Sequence, residues 1–235
     1  MTLRHLTARL VLFGIFSAIA GGAAAAPLWM DTPVARLEAL TLIQTLNVEI
    51  LSSTSATLTL ERWCRDHALA DTPVILAHRI ENATEVPSAA VRQDLQVNAQ
   101  ETVRYRRVEL TCGDHVLSVA DNWYVPARLT PQMNRLLETT QTPFGKVVQP
   151  LRPQRQTIAV QLLWAPLPEG WERSEFTSSP GKTPADRLEL PPALFEHRAI
   201  LYTPKHQPIA EVHEVYQRDL LAFPEPHVPD PVTER

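Results

Sequence analysis

Two runs of this sequence place side chains where their types and spacing could do chemistry. The first is Tyr105-Arg-Arg-Val-Glu-Leu-Thr-Cys112. A guanidinium group forks onto a carboxylate through two hydrogen bonds and keeps its charge when buried. Strand alternation puts Val103, Tyr105, Arg107 and Glu109 on one face and Arg104, Arg106, Val108 and Leu110 on the other. Alone, Arg107 reads as a strand cation paired with Glu109 or with a cross-strand acid. The second run is Pro208-Ile-Ala-Glu-Val-His-Glu-Val-Tyr216. Its two acids, Glu211 and Glu214, point to opposite faces of a regular strand, and His213 faces away from Glu214, so the pair cannot form a dyad there. A carboxyl group shut into an apolar pocket serves as a general acid or a hydrogen-bond partner. Asp121-Asn122-Trp123-Tyr124 reads either as a binding cluster or as strand aromatics of the core.

Other chemistries are excluded. Seven glycines are few, and those outside the N-terminal region (Gly113, Gly145, Gly170, Gly181) allow neither a dinucleotide fingerprint nor a P-loop. No nucleophile elbow and no H-E-x-x-H occurs. His78, His115, His197 and His206 have no metal-ligand spacing, and two cysteines cannot build a thiolate metal site. No metal and no organic cofactor is expected. A net charge of −4 leaves no basic excess for phosphates, which argues against nucleic acid as a partner.

The elements that must position these residues follow from periodicity. With 44% hydrophobic and 20% charged residues, the chain of 235 can bury a core. Val34, Leu37, Leu40, Ile43, Leu46 and Ile50 recur at helical spacing behind an N-cap at Thr32-Pro33. A second helix runs from Thr57 to Leu69. Pro73–Ile80 is a short β-type run, followed by a polar linker containing Pro87. Residues 103–125 form an antiparallel hairpin turning at Cys112-Gly-Asp-His115. Thr130 caps a short helix over Gln132–Thr140. Thr142-Pro-Phe-Gly-Lys146 is a tight loop, and Thr157–Ala165 is a further strand. Ala199–Tyr202 and Ile209–Tyr216 make a last hairpin turning at Pro204–Gln207. Helices precede an antiparallel sheet with one inserted helix, which is an α+β domain.

The first 26 residues read as an export signal: Arg4 and Arg9, an apolar run from Leu10 to Ala20, then small residues to Ala26. A retained anchor is the alternative, although the apolar run is shorter than the roughly 20 residues of a spanning helix. Cleavage takes two positive charges from a net of −4 and leaves −6. The expected organisation is a signal over 1–26, one domain over 27–223 with a loop-rich insertion at 150–195, and a proline-rich tail at 224–235. The expected location is periplasmic or secreted, with no stable membrane insertion after cleavage, as a monomer. Cys64 and Cys112 can pair in such a compartment; the reading preferred is two buried free thiols.

Three segments in order carry a resemblance: Tyr105–Cys112; Trp123-Tyr-Val-Pro126 with the short helix and Thr142-Pro-Phe-Gly-Lys146 behind it; and Pro208–Tyr216. With the two leading helices they resemble chorismate pyruvate-lyase, over roughly residues 34–221. The resemblance implies an antiparallel sheet with helices packed on it, a fold also used by UTRA-like ligand-sensing domains. It implies a closed site for one small aromatic acid, with no cofactor, in which chorismate loses pyruvate to give 4-hydroxybenzoate. Arg107 would pair with the substrate carboxylate. Glu214, preferred over Glu211, would meet the hydroxyl at the other end of the ring. Phe144 and Gly145 would cover it. Asn122 stands where the family often has an arginine, which leaves Arg128 or Arg106 to supply the missing charge. The rival reading is a non-catalytic binding protein of the cell envelope for a small carboxylic acid. A structural envelope protein would bury no cation at all.

Overall fold

The computed structural model describes residues 29–173 and 187–226. The expected export signal and most of the proline-rich tail lie outside these residues.

Thr32 accepts a hydrogen bond from the Ala35 amide and opens α1 (Pro33–Ser52), with proline in the first turn. Ser55 caps α2 (Ala56–Asp66). The strands are β1 (Ile75–Arg79), β2 (Arg104–Cys112), β3 (His115–Tyr124), β4 (Gln154–Leu162), β5 (Ala193–Tyr202) and β6 (Pro208–Gln217). They form a six-stranded antiparallel sheet in the order β1-β2-β3-β6-β5-β4. The α+β class and both expected hairpins stand. The linker after β1 holds a helix that periodicity missed, α3 (Ala89–Asp94), capped by Ser88. The stretch read as a loop-rich insertion contains β4, an edge strand of the sheet. The Thr142–Lys146 loop is in part helical: α5 (Phe144–Val147) follows α4 (Pro131–Thr139).

The helices α1 and α2 cover one face, here the inner face. Ala35, Ile43, Leu46 and Ile50 of α1 and Leu60, Trp63 and Cys64 of α2 pack on Ile75, Val108, Leu110, Phe195 and Tyr216. A second cluster joins Met133, Leu137, Phe144 and Val147 to Tyr124, Leu201, Ala210 and Val212. The chain end clasps the helices, since the Trp29 and Trp63 indoles donate to the carbonyls of Leu221 and Leu220. On the outer face α3 contributes Val91 to a small cluster with Leu95, Trp123 and Val125.

The two cysteines are not free thiols. Cys64 and Cys112 form a disulfide across a Cα–Cα distance of 6.4 Å. The physical reason is that both are fully buried where α2 lies on the end of β2, within bonding range. Among the described residues, no helix is long and apolar enough to cross a membrane.

Candidate functional site

Register decides which side chains can meet. Arg106 pairs with Asn122, Val108 with Ala120, Asn122 with Val212, Ala120 with Glu214, and Glu214 with His197. Side chains in one cross-strand row share a face, so Arg106, Asn122, Glu214 and His197 all point inward beneath α1 and α2. Arg155 of β4, opposite Leu201, joins them.

The cavity lies between this floor and a roof of two short segments. Its floor includes Val108, Ala120, Asn122, Val212, Glu214 and Arg155. Its roof is Thr54–Thr57, where α1 hands over to α2, and Phe144–Gly145 of α5. Gly145 is needed for this closure, because a Cβ there would stand 3.0 Å from Ser55 Oγ and Thr57 Oγ1. The amino end of α2 therefore faces the cavity with its positive dipole end. The volume is about 30 Å³, room for a water-sized group rather than a ring.

Polar groups on and around this floor are buried and incompletely paired. Arg155 Nη2 donates to Glu214 Oε2 at 2.6 Å, and the Tyr216 hydroxyl donates to the same oxygen at 3.1 Å. Burial works against the charge of Arg155, but Glu214 outweighs it, so its pKa lies above the usual value. Burial, then Glu214, pushes the Tyr216 phenol well above its usual range. Arg155 leaves Nε without a partner. Arg106 is 2% exposed, and both Nε and Nη1 lack partners. Burial lowers its pKa to about 10, which keeps it charged at neutral pH. Asn122 donates weakly to the carbonyls of Arg106 and Ala120, at 3.4 and 3.3 Å. His197 Nε2 meets Asn47 Oδ1 at 2.7 Å, and burial lowers its pKa to about 4, so the ring is neutral at pH 7.

Of the residues expected from sequence, Asn122, Phe144, Gly145 and Glu214 line this one cavity. Arg107 does not. It points to the outer face, with its side chain 43% exposed and 3.6 Å from Asp121. The reason is strand parity: Val108 and Leu110 are core residues, and the arginine that shares their face is Arg106. That apolar company is the signal that marks Arg106 in the sequence. Arg106 does not itself line the cavity, but its register partner Asn122 and its neighbour Val108 do. Arg128 is spent on the backbone, donating to the carbonyls of Leu95, Gln96 and Pro208, and pairs with Glu101. Glu211, the other acid, lies on the outer face and pairs with Arg198. Sequence reasoning missed Arg155, and no local pattern announces it; only the pairing of β4 with β5 carries it to Glu214. Among the described residues, no group of three or more His, Cys, Asp or Glu could hold a metal ion.

These features define an α+β protein with a roofed cavity on one face of an antiparallel sheet, one buried guanidinium group on its floor and a second beside it. The chain belongs to the same family as the uncharacterized protein y4mC of Sinorhizobium fredii (strain NBRC 101917 / NGR234), to which it is 44% identical over 199 residues, 84% of this chain and 83% of the relative. No family model matches it. Among solved structures it is similar to the effector domain of PhnF from Mycobacterium smegmatis (13% identity, TM-score 0.41, 71% of this chain and 90% of that one). It is also similar to the ligand-binding domain of a GntR-family transcriptional regulator from Bordetella bronchiseptica (18% identity, TM-score 0.39, 62% and 83%). Likenesses at this level assign neither ligand nor activity.

Proposed function

We propose that this protein binds a small carboxylic acid in the inner-face cavity, without catalysis. The observation that carries the reading is Arg106, a buried guanidinium beside the cavity, next to its lining residues Val108 and Asn122, with no counter-charge among the described residues. Burying an unpaired charge costs several kcal/mol, and a carboxylate ligand removes that cost while supplying the missing acceptors. Arg155 and the amino end of α2 add to the attraction for an anion. A ring-bearing ligand requires the Thr54–Thr57 and Phe144–Gly145 segments to part. The reading is tested by titrating benzoate into the protein in a calorimeter. Binding is expected, with a loss of at least about 100-fold in Arg106→Met. Equal binding by that variant, or no binding by the parent, overturns it.

The second reading is elimination of pyruvate from chorismate to give 4-hydroxybenzoate. It is favoured by Glu214 on the cavity floor below Phe144 and Gly145. Formation of 4-hydroxybenzoate from chorismate, lost in Glu214→Gln, would establish it; no turnover removes it. We place the protein in the periplasm or outside the cell. The export-type sequence at residues 1–26 and the Cys64–Cys112 disulfide support that location. Recovery of the processed chain from a periplasmic extract is the expected result, and an unprocessed chain in the cytosol would refute it.

A further inference from the structure

The charges on the inner face around the cavity do not balance, and the imbalance specifies the ligand more narrowly than its being an acid. Arg155 on the cavity floor and Arg106 beside it on the same face are both cations, and Glu214 is the carboxylate bound to Arg155. His197, opposite Glu214 on β5, contributes nothing, because burial keeps it neutral at pH 7. Two cations against one anion leave a single positive charge. The pairing is also asymmetric. Glu214 is committed to Arg155, with side chains only 9% and 4% exposed, while Arg106 faces no acid. Arg106 and Glu214 sit on strands either side of β3 and two residues apart in register, which puts their backbones roughly 12 Å apart. A ligand anion at Arg106 therefore meets a resident carboxylate at its far end.

We infer that the site selects monocarboxylates over dicarboxylates, and that Glu214 sets this selection by occupying the second cationic position from within. This rests on the anion-binding reading above and deepens it. A ligand with one carboxylate neutralises the site. A ligand with carboxylates at both ends brings its second charge against Glu214, in a setting where water screens little, or must displace Glu214 from Arg155. The inference runs against chorismate, a dianion, as the preferred occupant.

The test compares benzoate with terephthalate, which differ by one para carboxylate, on the full chain with its disulfide intact. The parent protein is expected to bind benzoate at least about tenfold more tightly than terephthalate. Glu214→Gln, which keeps the side chain's shape and leaves a net charge of two, is expected to move that ratio at least about tenfold toward terephthalate. Arg155→Gln combined with Glu214→Gln returns the net charge to one and is expected to restore the preference for benzoate, which separates a charge effect from damage to the fold. Equal or tighter binding of terephthalate by the parent overturns the inference while leaving the anion site standing, as does a ratio that Glu214→Gln leaves unmoved. Binding of neither acid by the parent overturns the anion site itself.

Discussion

On the outer face of the sheet, Arg107 lies beside Asp121, His213 meets Glu196 at 3.1 Å, and Arg198 bonds to Glu211. Asp121 also accepts from the Tyr105 hydroxyl, whose pKa is pushed up to about 12 by burial and by that carboxylate. One oxygen of Glu211 stays unpaired there, but each of these charges has an opposite within reach. On the inner face, Arg106 has none, and Arg155, Arg106 and His197 all leave ring or guanidinium nitrogens unused. The two faces are built from alternate residues of the same strands. The outer one closes its charges on itself; the inner one keeps hydrogen-bonding capacity under a roof. Unused capacity in a buried place is costly, and the binding reading proposed above accounts for it on the inner face.

Experiments that disturb one face and not the other test this contrast. The largest effect is expected from splitting the inner ion pair. Arg155→Ala or Glu214→Ala should cost about 3–5 kcal/mol of unfolding free energy, because the remaining charge stays buried without a partner. A urea midpoint unchanged in both variants would show that the pair is not buried in solution. Replacing Cys64 and Cys112 by serine removes a closed loop spanning 48 residues, worth about 4 kcal/mol on chain entropy. Arg106→Met should act in the opposite direction. It removes an uncompensated charge from an apolar site and should raise stability by about 1–3 kcal/mol, at the expense of ligand binding. A destabilised Arg106→Met protein would mean that Arg106 has a structural partner after all.

The inner face should also show in the pH dependence. Burial holds the His197 pKa at about 4, below the roughly 6.5 of an unfolded chain. The unfolded state therefore binds the proton first. Stability from this group is complete above pH 6.5 and falls as pH drops toward 4, by up to about 1.4 kcal/mol per pH unit. Denaturation midpoints at several pH values should lose that slope in His197→Gln. The smallest effect belongs to the outer face. Arg107→Ala should change stability by about 0.5 kcal/mol or less and leave benzoate binding intact; lost binding would move the site to the other side of the sheet.

How much of this was legible before the structure depends on the range of the interaction. Caps and hairpins are local, so Thr32, Thr130 and the Cys112–His115 turn already mark their elements in the sequence. Alternation along one strand separates Glu211 from Glu214 by face, and the family resemblance selects Glu214 as the one in the site, where the cavity has it. The choice between Arg106 and Arg107 needed the same alternation weighted by the apolar company of Val108 and Leu110, and the family resemblance pointed to the other residue. Arg155 was out of reach. Its role arises from an edge strand docking against β5, some forty positions further on in sequence, and nothing near Arg155 reports that pairing. The disulfide was out of reach for the same reason, since only the seating of α2 on β2 brings its cysteines together.

That disulfide has a mechanical consequence. It fastens Cys64, near the carboxyl end of α2, to the end of β2, whereas the amino end of the same helix roofs the cavity. A rod held at one end moves as a lever. Ala56 lies about 12 Å from Cys64 along the helix axis, so a tilt of roughly 10° about the bridge lifts the roof by about 2 Å. The fulcrum is covalent, so such a tilt would be largest at the end that roofs the cavity. Reduction would remove that fulcrum and leave α2 held by its core packing and by the Trp63 bond to the Leu220 carbonyl.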